Sequence, residues 1–382
     1  MSARGPAAAA DAPVTRLAAW TIDIPTETPE ADGTLEWDST TIVLVETEAG
    51  GDAGLGYTYA SRAAFAVIED VLAPCVLGRD AFAGAAVAAD MLRQVRNIGR
   101  QGISACAIAA VDTALWDLRA KLCGQPLCNL LGRLRTHAPI YGSGGFTNYT
   151  RRQLERQLDG FVRELGCKFV KMKIGADPAA DPARIAFARE VIGEAALMVD
   201  ANGALERKQA LALAHVCAEH GVVWFEEPLS SDDVAGLAWL RAHAPAPVAI
   251  AAGEYAWDVW ALRTLLEAGA VDALQADATR CLGVTGFMQA AALAAAFHTP
   301  LSSHCAPTLH CHLSAATPMA HVEWFFDHAR IERMLFDGAP EPRNGRIAPD
   351  LSRPGLGLAL KRQDAMRLSE QSGRSLRGEW RL

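Results

Sequence analysis

Seven ionisable residues recur at nearly regular intervals in the second half of the chain. They are separated by 27, 26, 28, 23, 27 and 19 residues and are, in order, Lys173, Asp200, Glu226, Glu254, Asp277, His304 and Glu323. Three of these acids, Asp200, Glu226 and Glu254, could converge on one point. Their carboxylates offer the hard oxygen ligands that Mg²⁺ prefers, and they would repel one another without a cation. A lysine and a histidine beside them can exchange protons with a bound molecule. The set predicts metal-assisted acid–base chemistry.

The spacing indicates which elements position these residues. One β-strand with its returning helix takes roughly 25–35 residues, because a (β/α)₈ barrel of about 250 residues has eight such units. In residues 169–174, alternation directs the apolar side chains to one face and Lys171 and Lys173 to the other. Comparable apolar stretches, each followed by a helical pattern, end in Asp200 and Asp277. The sequence therefore predicts an α/β fold, a (β/α) barrel with these residues at its mouth.

Short motifs around these positions resemble those of the enolase superfamily and, within it, of the mandelate racemase subgroup. The resemblance covers about residues 14–365 and depends on the order and spacing of the motifs. They are Lys171-Met-Lys173, Val199-Asp200-Ala-Asn202-Gly203, Phe225-Glu226-Glu227-Pro228, Gly253-Glu254, Gln275-Ala-Asp277, Gly283-Val-Thr-Gly286, Ser303-His304 and Glu323.

The resemblance implies a barrel of the modified TIM type with an α+β capping domain. Strands followed by grouped helices in the N-terminal region also favour a separate α+β unit. We expect the capping domain at 14–135, the barrel at 136–325, a C-terminal segment at 326–370 that returns to the capping domain, and mobile tails at 1–13 and 371–382. Loops at 25–38 and 56–61 are expected to cover the barrel mouth as lids.

The resemblance also assigns roles to the ionisable residues. Asp200, Glu226 and Glu254 are expected to hold Mg²⁺; acids that face bulk water or pair with lysines are the alternative. Lys173 is expected on one side of the metal as a base, with its pKa lowered by the nearby lysine and the cation. His304, held in one tautomer by Asp277, is expected on the other side.

Four other residues near these motifs each have two possible roles. Glu323 is expected to be protonated and to donate a hydrogen bond to the substrate carboxylate, and a solvated acid is the alternative. Lys171 is either part of the catalytic set or mainly an electrostatic partner of that carboxylate. Asn202 and Ser143 are candidate substrate contacts, with turn or capping roles as alternatives. The nearby histidines at 310 and 312 match no familiar zinc spacing and are expected in the core.

The implied reaction is abstraction of the proton α to a carboxylate, with the cation stabilising an ene-diolate. Dehydration of a sugar acid, with His304 protonating a departing β-hydroxyl, is favoured over racemisation or epimerisation. A cycloisomerase is a weaker alternative, because residues 275–280 lack the lysine that the muconate lactonising subgroup places there. A non-catalytic binding barrel is another alternative, but it predicts a broken set of residues, whereas each position here is chemically competent.

The amino-acid composition indicates which binding partners and which cellular compartment to expect. The chain has 382 residues, a net charge of −8 and 51% hydrophobic residues, so it has no basic footprint for nucleic acid. It has no apolar run of about 20 residues that would span a membrane. Nine cysteines without a CxxC pair favour a reduced cytoplasmic compartment. A small-molecule carboxylate is the expected partner, and a homo-oligomer is the expected assembly.

The N-terminal region carries one indication of the substrate. Residues 18–61 contain no Lys or Arg. A second carboxylate on the substrate would then need a cation from elsewhere in the chain. The sequence therefore favours a monocarboxylic sugar acid over a diacid.

Overall fold

The computed structural model describes residues 11–371, and its N-terminal part is an antiparallel sheet packed against helices. The sheet has three strands, β1 (Arg16–Ala31), β2 (Glu36–Ala49) and β3 (Asp52–Tyr59), in that order. The helices are α1 (Ala63–Val67), α2 (Ala73–Val76), α3 (Gly84–Gln94), α4 (Ile103–Leu122) and α5 (Leu127–Leu130). Ile42 and Leu44 in β2 belong to the large core shared with the barrel, whereas Val43 and Val45 pack in a second core with α4. The sheet is therefore buried on both faces, and we call this region the cap.

The loop predicted at 25–38 is mostly β-structure, which corrects the sequence expectation. β1 continues to Ala31 and β2 begins at Glu36, so the true connection is only residues 32–35. A register shift between Pro25 and Glu30 absorbs the prolines, which have no N–H to donate to the ladder. The Asp32 carboxylate closes the turn by accepting from the backbone N–H of Thr34 (2.6 Å) and Leu35 (2.8 Å). A long hairpin, rather than a loop, reaches over the barrel.

Residues 11–13 have defined contacts that the sequence analysis did not expect. Ala12 donates its backbone N–H to Asp80 Oδ1 (3.2 Å), and Pro13 bridges to the same residue. Residues 11–13, assigned from the sequence to a mobile tail, are thus held against the cap. The remaining predicted tail positions, 1–10 and 372–382, lie outside the described residues.

Eight parallel strands form a nearly closed barrel, as predicted. They are β4 (Ala138–Gly144), β5 (Phe169–Lys173), β6 (Ala196–Asp200), β7 (Val222–Glu226), β8 (Ala249–Ala252), β9 (Ala273–Ala276), β10 (Leu301–Ser303) and β11 (Val322–Phe325), with hydrogen-bonded order β10-β9-β8-β7-β6-β5-β4-β11. The helices between them are α6 (Arg151–Arg163), α7 (Asp181–Ile192), α8 (Arg207–Glu219), α9 (Val234–His243), α10 (Val259–Glu267), α11 (Gly283–Ala296) and α12 (Pro307–Ala316).

Strand alternation divides the barrel into an apolar exterior and a layered interior. Val170 and Met172 of β5 pack outwards in the main core, while Lys171 and Lys173 point inwards. An interior cluster of Tyr141, Met198, Trp224, Ala251 and Ala273 fills the lower layer. The charged residues occupy the layers above it, at the C-terminal ends of the strands. The fold thus collects at one mouth the residues that are far apart in sequence.

The C-terminal part of the chain returns to the cap. It contains α13 (Phe326–Leu335), β12 (Phe336–Asp337), β13 (Arg346–Ile347), β14 (Ala359–Leu360) and α14 (Arg362–Gln371). Arg362 at the start of α14 pairs with Glu46 of β2 at 2.5 Å. This contact attaches the last helix to the N-terminal sheet. Across residues 11–371, none of the helices has the length and apolar character needed to cross a membrane.

Candidate active site

Strand register places a lysine and two acids side by side at the barrel mouth. Lys173 at the end of β5 pairs with Asp200 at the end of β6, which pairs with Glu226 at the end of β7. Glu254 follows β8 by two residues and is reached through Gly253, whose φ is +135°. A side chain at that glycine would collide with the backbone carbonyl of Gln275. The glycine therefore allows the close approach that brings the third acid into the row.

Asp200, Glu226 and Glu254 form a buried acidic triad. One ligand oxygen of each lies within 4.8 Å of the others, and none of the three is more than 3% exposed. Burial and the neighbouring Asp200 raise the pKa of Glu226 to about 8. Glu254 Oε2 is buried, accepts no hydrogen bond and has His304 Nε2 as a neighbour at 3.2 Å. These oxygens fit a hard divalent cation such as Mg²⁺, because a cation would relieve the mutual repulsion of the three carboxylates.

The two lysines of β5 neutralise much of this negative charge. Lys171 Nζ lies 2.6 Å from Glu226, 2.8 Å from Glu323 and 3.7 Å from Asp200. Lys173 Nζ donates to Asp200 Oδ2 at 2.5 Å. Burial opposes the charged form of Lys173, but Asp200 outweighs it and raises the lysine pKa above its ordinary value. Lys171 lowers the pKa of Lys173, as expected, but without a cation the ion pair with Asp200 outweighs this repulsion.

His304 and Asp277 form the predicted dyad. His304 Nδ1 lies 2.8 Å from Asp277 Oδ2, and the other carboxylate oxygen accepts from the backbone N–H and hydroxyl of Thr279, each at 2.7 Å. The fixed carboxylate holds Nδ1 as the donor, and His304 Nε2 then lies 3.2 Å from Glu254 Oε2. Burial lowers the pKa of His304, but Glu254 and Asp277 outweigh burial and raise it. The imidazolium form is favoured.

Glu323 does not have the protonation state that the sequence analysis expected. Its carboxylate pairs with Lys171 at 2.8 Å and accepts the backbone N–H of Cys305 at 2.6 Å. Burial opposes ionisation, yet Lys171 holds the pKa of Glu323 well below its usual range. Cys305 has a left-handed backbone, with φ of 50°, that turns its N–H towards the acid. Glu323 is therefore ionised in this arrangement, which corrects the expectation of a protonated acid.

A cavity of about 330 Å³ lies between the barrel mouth and the cap. Its floor includes Lys173, Glu254 and His304, and the cap contributes residues of β2 and β3, of the turn between β1 and β2, and of the segment that follows β3. Lys173 and His304 belong to strands separated by three positions one way around the barrel and five the other. The two proton-exchanging groups therefore reach the cavity from well-separated sides.

Two family models match the chain and together cover most of it. The first is described as the mandelate racemase / muconate lactonizing enzyme N-terminal domain and matches residues 14–132. The second is described as enolase C-terminal domain-like and matches residues 153–365, more than half of the chain. The protein belongs to the mandelate racemase/muconate lactonizing enzyme family. The sequence-based assignment to the enolase superfamily is confirmed.

Curated relatives in this family include sugar acid enzymes. The chain is 34% identical over 332 residues to an L-talarate/galactarate dehydratase from Salmonella typhimurium, covering 84% of this chain and 81% of that protein. It is 31% identical over 350 residues to a 3,6-anhydro-alpha-L-galactonate cycloisomerase from Streptomyces coelicolor, covering 89% and 94%.

Solved structures in the family share the whole fold. A mandelate racemase/muconate lactonizing enzyme-like protein from Rubrobacter xylanophilus is 49% identical, with a TM-score of 0.90 over 93% of this chain and 99% of that one. A variant of L-talarate/galactarate dehydratase liganded with Mg and L-glucarate is 29% identical, with a TM-score of 0.88 over 99% and 98%. The cofactor identified with this fold is therefore Mg²⁺, as the acidic triad indicated.

The two candidate substrate contacts differ in their placement. Asn202 lines the cavity, and its side-chain oxygen is buried without a hydrogen-bond partner, so it is free to meet a ligand. Ser143 is fully buried and pairs in register with Lys171, one layer below the mouth. The structure does not bring Ser143 to the cavity, because its position along β4 places it too deep. His310 is also buried, with both ring nitrogens bonded to backbone groups, as expected of a core residue.

Arg280 is the main residue of the cavity that the sequence analysis did not predict. Its guanidinium lies 3.3 Å from Glu254 Oε1 and 3.7 Å from Asp277 Oδ2, and it packs over the ring of Tyr255 at 5.0 Å. It therefore links a metal-ligand candidate to the dyad. Its position three residues after Asp277, in the loop that follows β9, was the available signal.

Two further buried groups lie beside the site without having been predicted. Glu227 follows Glu226, has φ of 36° and carries a buried oxygen without a hydrogen bond. Burial, followed by Glu254 and Asp200, raises its pKa well above the ordinary value. His328 of α13 lines the cavity and stacks on Tyr59 with ring centroids 3.4 Å apart. Only packing from a distant part of the chain places this histidine there.

Proposed function

We propose that the protein is a Mg²⁺-dependent dehydratase that removes water from a sugar acid. The observation that carries this proposal is that Lys173, His304 and Glu254, a member of the acidic triad, line one cavity. The relative named L-talarate/galactarate dehydratase supports the choice of reaction. Asp200, Glu226 and Glu254 would hold the cation, whose positive charge offsets the charge that develops on a substrate carboxylate.

Lys173 is the proposed base, and it must lose a proton before it can act. Its ammonium is held by Asp200 Oδ2, an oxygen of the acidic triad. A carboxylate whose charge is shared with a divalent cation attracts the ammonium less, and Lys171 continues to repel it. We therefore expect the pKa of Lys173 to fall when Mg²⁺ binds.

His304 is the proposed acid. Asp277, which is not a proposed metal ligand, is hydrogen-bonded to His304 Nδ1 and favours the imidazolium form, so His304 can donate a proton to a departing hydroxyl. Lys173 takes the α-proton, the electron pair of that C–H bond forms the C=C bond, and the β C–O bond breaks. The hydroxyl leaves as water with the His304 proton. The resulting enol tautomerises to a 2-keto-3-deoxy acid.

Two other outcomes of α-proton removal remain as candidates. Racemisation or epimerisation needs a second proton donor on the other side of the substrate, and the separated positions of Lys173 and His304 favour it. Cycloisomerisation is supported by the relative of that name from Streptomyces coelicolor. The three outcomes share the proton abstraction and differ in what happens to the β-carbon.

The test is an NMR measurement of α-proton exchange in D₂O with Mg²⁺ across sugar acids and α-hydroxy acids. We expect exchange together with loss of water from one class of sugar acid. His304→Asn should then retain exchange but lose dehydration, since Lys173 still abstracts the proton. Inversion or ring formation without loss of water would replace the dehydratase by an epimerase or a cycloisomerase. Absence of exchange with all compounds would contradict the proposal.

The domain organisation and assembly are proposed on the same basis. Residues 14–135 and 326–370 would act together as the cap, and residues 136–325 would carry the chemistry. Arg362 on Glu46 is the contact that supports joining the two ends of the chain. We also propose a cytoplasmic homo-oligomer, which gel filtration with light scattering would test.

A further inference from the structure

The cap presents a wall of hydrogen-bond acceptors to the cavity. We define this acceptor wall as Asp32, Thr40 and Thr41, all of which line the cavity opposite its charged floor. Thr41 Oγ1 donates to Asp23 Oδ1 at 2.7 Å, and the Asp23 carboxylate is paired with Arg62 at 2.6 Å. An ionised carboxylate can only accept hydrogen bonds. The Thr41 proton is therefore committed to Asp23, and only the lone pairs of its oxygen remain for a ligand.

The hydroxyl proton of Thr40 is likewise donated to a carboxylate, but to a different one. Its hydroxyl donates to Asp327 Oδ2 at 2.6 Å, and Arg330 holds the other oxygen of Asp327 at 2.6 Å. Thr40 is thus also an acceptor towards the cavity. The two threonines are adjacent on β2, and each donates its proton to a separate carboxylate–arginine pair.

Asp32 adds negative charge to the same wall. The turn fixes its Oδ1, which accepts from the backbone N–H groups of Thr34 and Leu35. The carboxylate remains part of the cavity lining and can accept further hydrogen bonds. A ligand group that meets this wall must therefore bring donors.

The cavity offers no available cation near the wall for a second carboxylate. Among the described residues that line it, the lysine and arginine side chains are Lys173 and Arg280, and both are paired with acids of the floor. His328 also lines the cavity, but burial, followed by the charge of His304, lowers its pKa to about 3. It stays neutral at physiological pH. At the acceptor wall, a distal carboxylate would meet the lone pairs of Thr40 and Thr41 and the negative charge of Asp32.

We propose that the acceptor wall selects aldonates, sugar acids that end in a hydroxyl group, and rejects aldarates, which end in a second carboxylate. A terminal hydroxyl donates its proton to the wall, whereas a carboxylate has none to donate and is repelled by Asp32. This inference rests on the proposed function, and it names the substrate class of the same site. It differs from the diacid named for the Salmonella relative.

The test compares kcat/KM for aldonates and aldarates of matched stereochemistry with the Mg²⁺-loaded enzyme. We expect the best aldonate to exceed its matched aldarate by about 100-fold. Asp32→Asn should reduce this ratio by about tenfold, because the turn still needs an oxygen at Oδ1 and so directs the new NH₂ group to the cavity. Glu36→Gln makes the same change of charge at an exposed position outside the cavity and should leave the ratio unaltered.

Thr41→Val provides an independent measurement, since it keeps the shape of the side chain. We expect it to raise KM for the aldonate by about fivefold to tenfold with little change in kcat, because one acceptor is lost. An aldarate preference in the wild type, or a ratio insensitive to Asp32→Asn, would overturn the acceptor-wall proposal alone. Lack of turnover and of α-proton exchange with both classes would overturn the proposed function and this inference with it.

Discussion

The floor and the acceptor wall of one cavity are built from opposite arrangements of charge. On the floor, acids and lysines face one another directly, as Lys173 and Asp200 do at 2.5 Å. Behind the wall, Asp23 and Asp327 are neutralised by arginines and reach the cavity only through threonine hydroxyls. The floor therefore provides charges that can move protons, whereas the wall provides fixed hydrogen-bond polarity. Reactivity and selectivity are separated between barrel and cap.

The mechanical support of the two regions differs as well. The floor residues end adjacent parallel strands, and register alone keeps Lys173, Asp200 and Glu226 level. The wall lies on a hairpin that packs over the barrel and is fixed by side chains from α13 and from the start of α1. Buried ion pairs cost desolvation that their attraction barely repays, so the ion pairs of the floor are expected to add little to stability.

The largest expected effect comes from removing the proposed base. Lys173→Ala should lower α-proton exchange by about 10³-fold or more, the scale of a lost general base, while the fold remains intact by circular dichroism. Lys168→Ala is the matched control, since Lys168 is exposed at the other end of β5. Exchange within about tenfold of wild type would assign the base to another residue.

Removing the cation should have the next largest effect and should act on the floor alone. Mg²⁺ at 100 times its Kd is expected to stabilise the fold by about 2.7 kcal/mol, because it binds the folded triad and not the unfolded chain. Glu254→Gln should reduce this gain in thermal unfolding, and Glu267→Gln, an exposed acid on α10, should not. An equal gain in both variants would place the cation elsewhere.

The smallest expected effect is a difference between the cap and the floor in how folding stability depends on pH. Burial, and then Asp327, raises the pKa of the cap residue Glu30 from 4.5 to about 8. The folded state therefore holds this proton more tightly, so the Glu30 contribution to stability is present below about pH 4.5 and is lost as pH rises through about 8. On the floor, Glu323 has a lowered pKa and behaves in the opposite sense, losing its contribution only as pH falls.

Glu30→Gln should remove the loss of folding stability that Glu30 causes as pH rises. The amide oxygen can still accept from Trp37 Nε1, which lies 3.0 Å from Glu30 Oε2. We expect the variant to gain about 1–2 kcal/mol over the wild type at pH 8 relative to pH 5, measured by denaturant unfolding. Exposed Glu155→Gln should show no such gain. An equal gain in unfolding free energy at pH 5 and pH 8 would show that Glu30 is not the source of the pH dependence.

Much of the barrel could be predicted from the sequence. Each interval between successive ionisable residues corresponds to one strand and one helix. Asp200 and Glu226 were therefore placed correctly at adjacent strand ends. Alternation in β5 also gave the inward direction of both lysines. The hairpin was missed because Pro25 and Pro29 suggested a loop, whereas the register shift accommodates them in a longer strand pair.

Errors at the site share one physical cause. The charge states of Lys173 and Glu323 depend on which opposite charges lie within about 3 Å, and a single residue spacing does not specify that distance. Ser143 was placed at the cavity because its depth along β4 was unknown. Arg280 and His328 were overlooked because their partners lie in other strands and helices.

The sequence by itself determined which groups can exchange protons, their order around the barrel and the acids available to a metal. These follow from local strand and helix periodicity, which short stretches of chain encode. The tertiary structure alone decided which groups are charged and which way the wall hydroxyls point. Thr40 and Asp327 are 287 residues apart, and the direction of their hydrogen bond exists only once α13 packs beneath the hairpin. Polarity at such a contact is a property of the assembled partners.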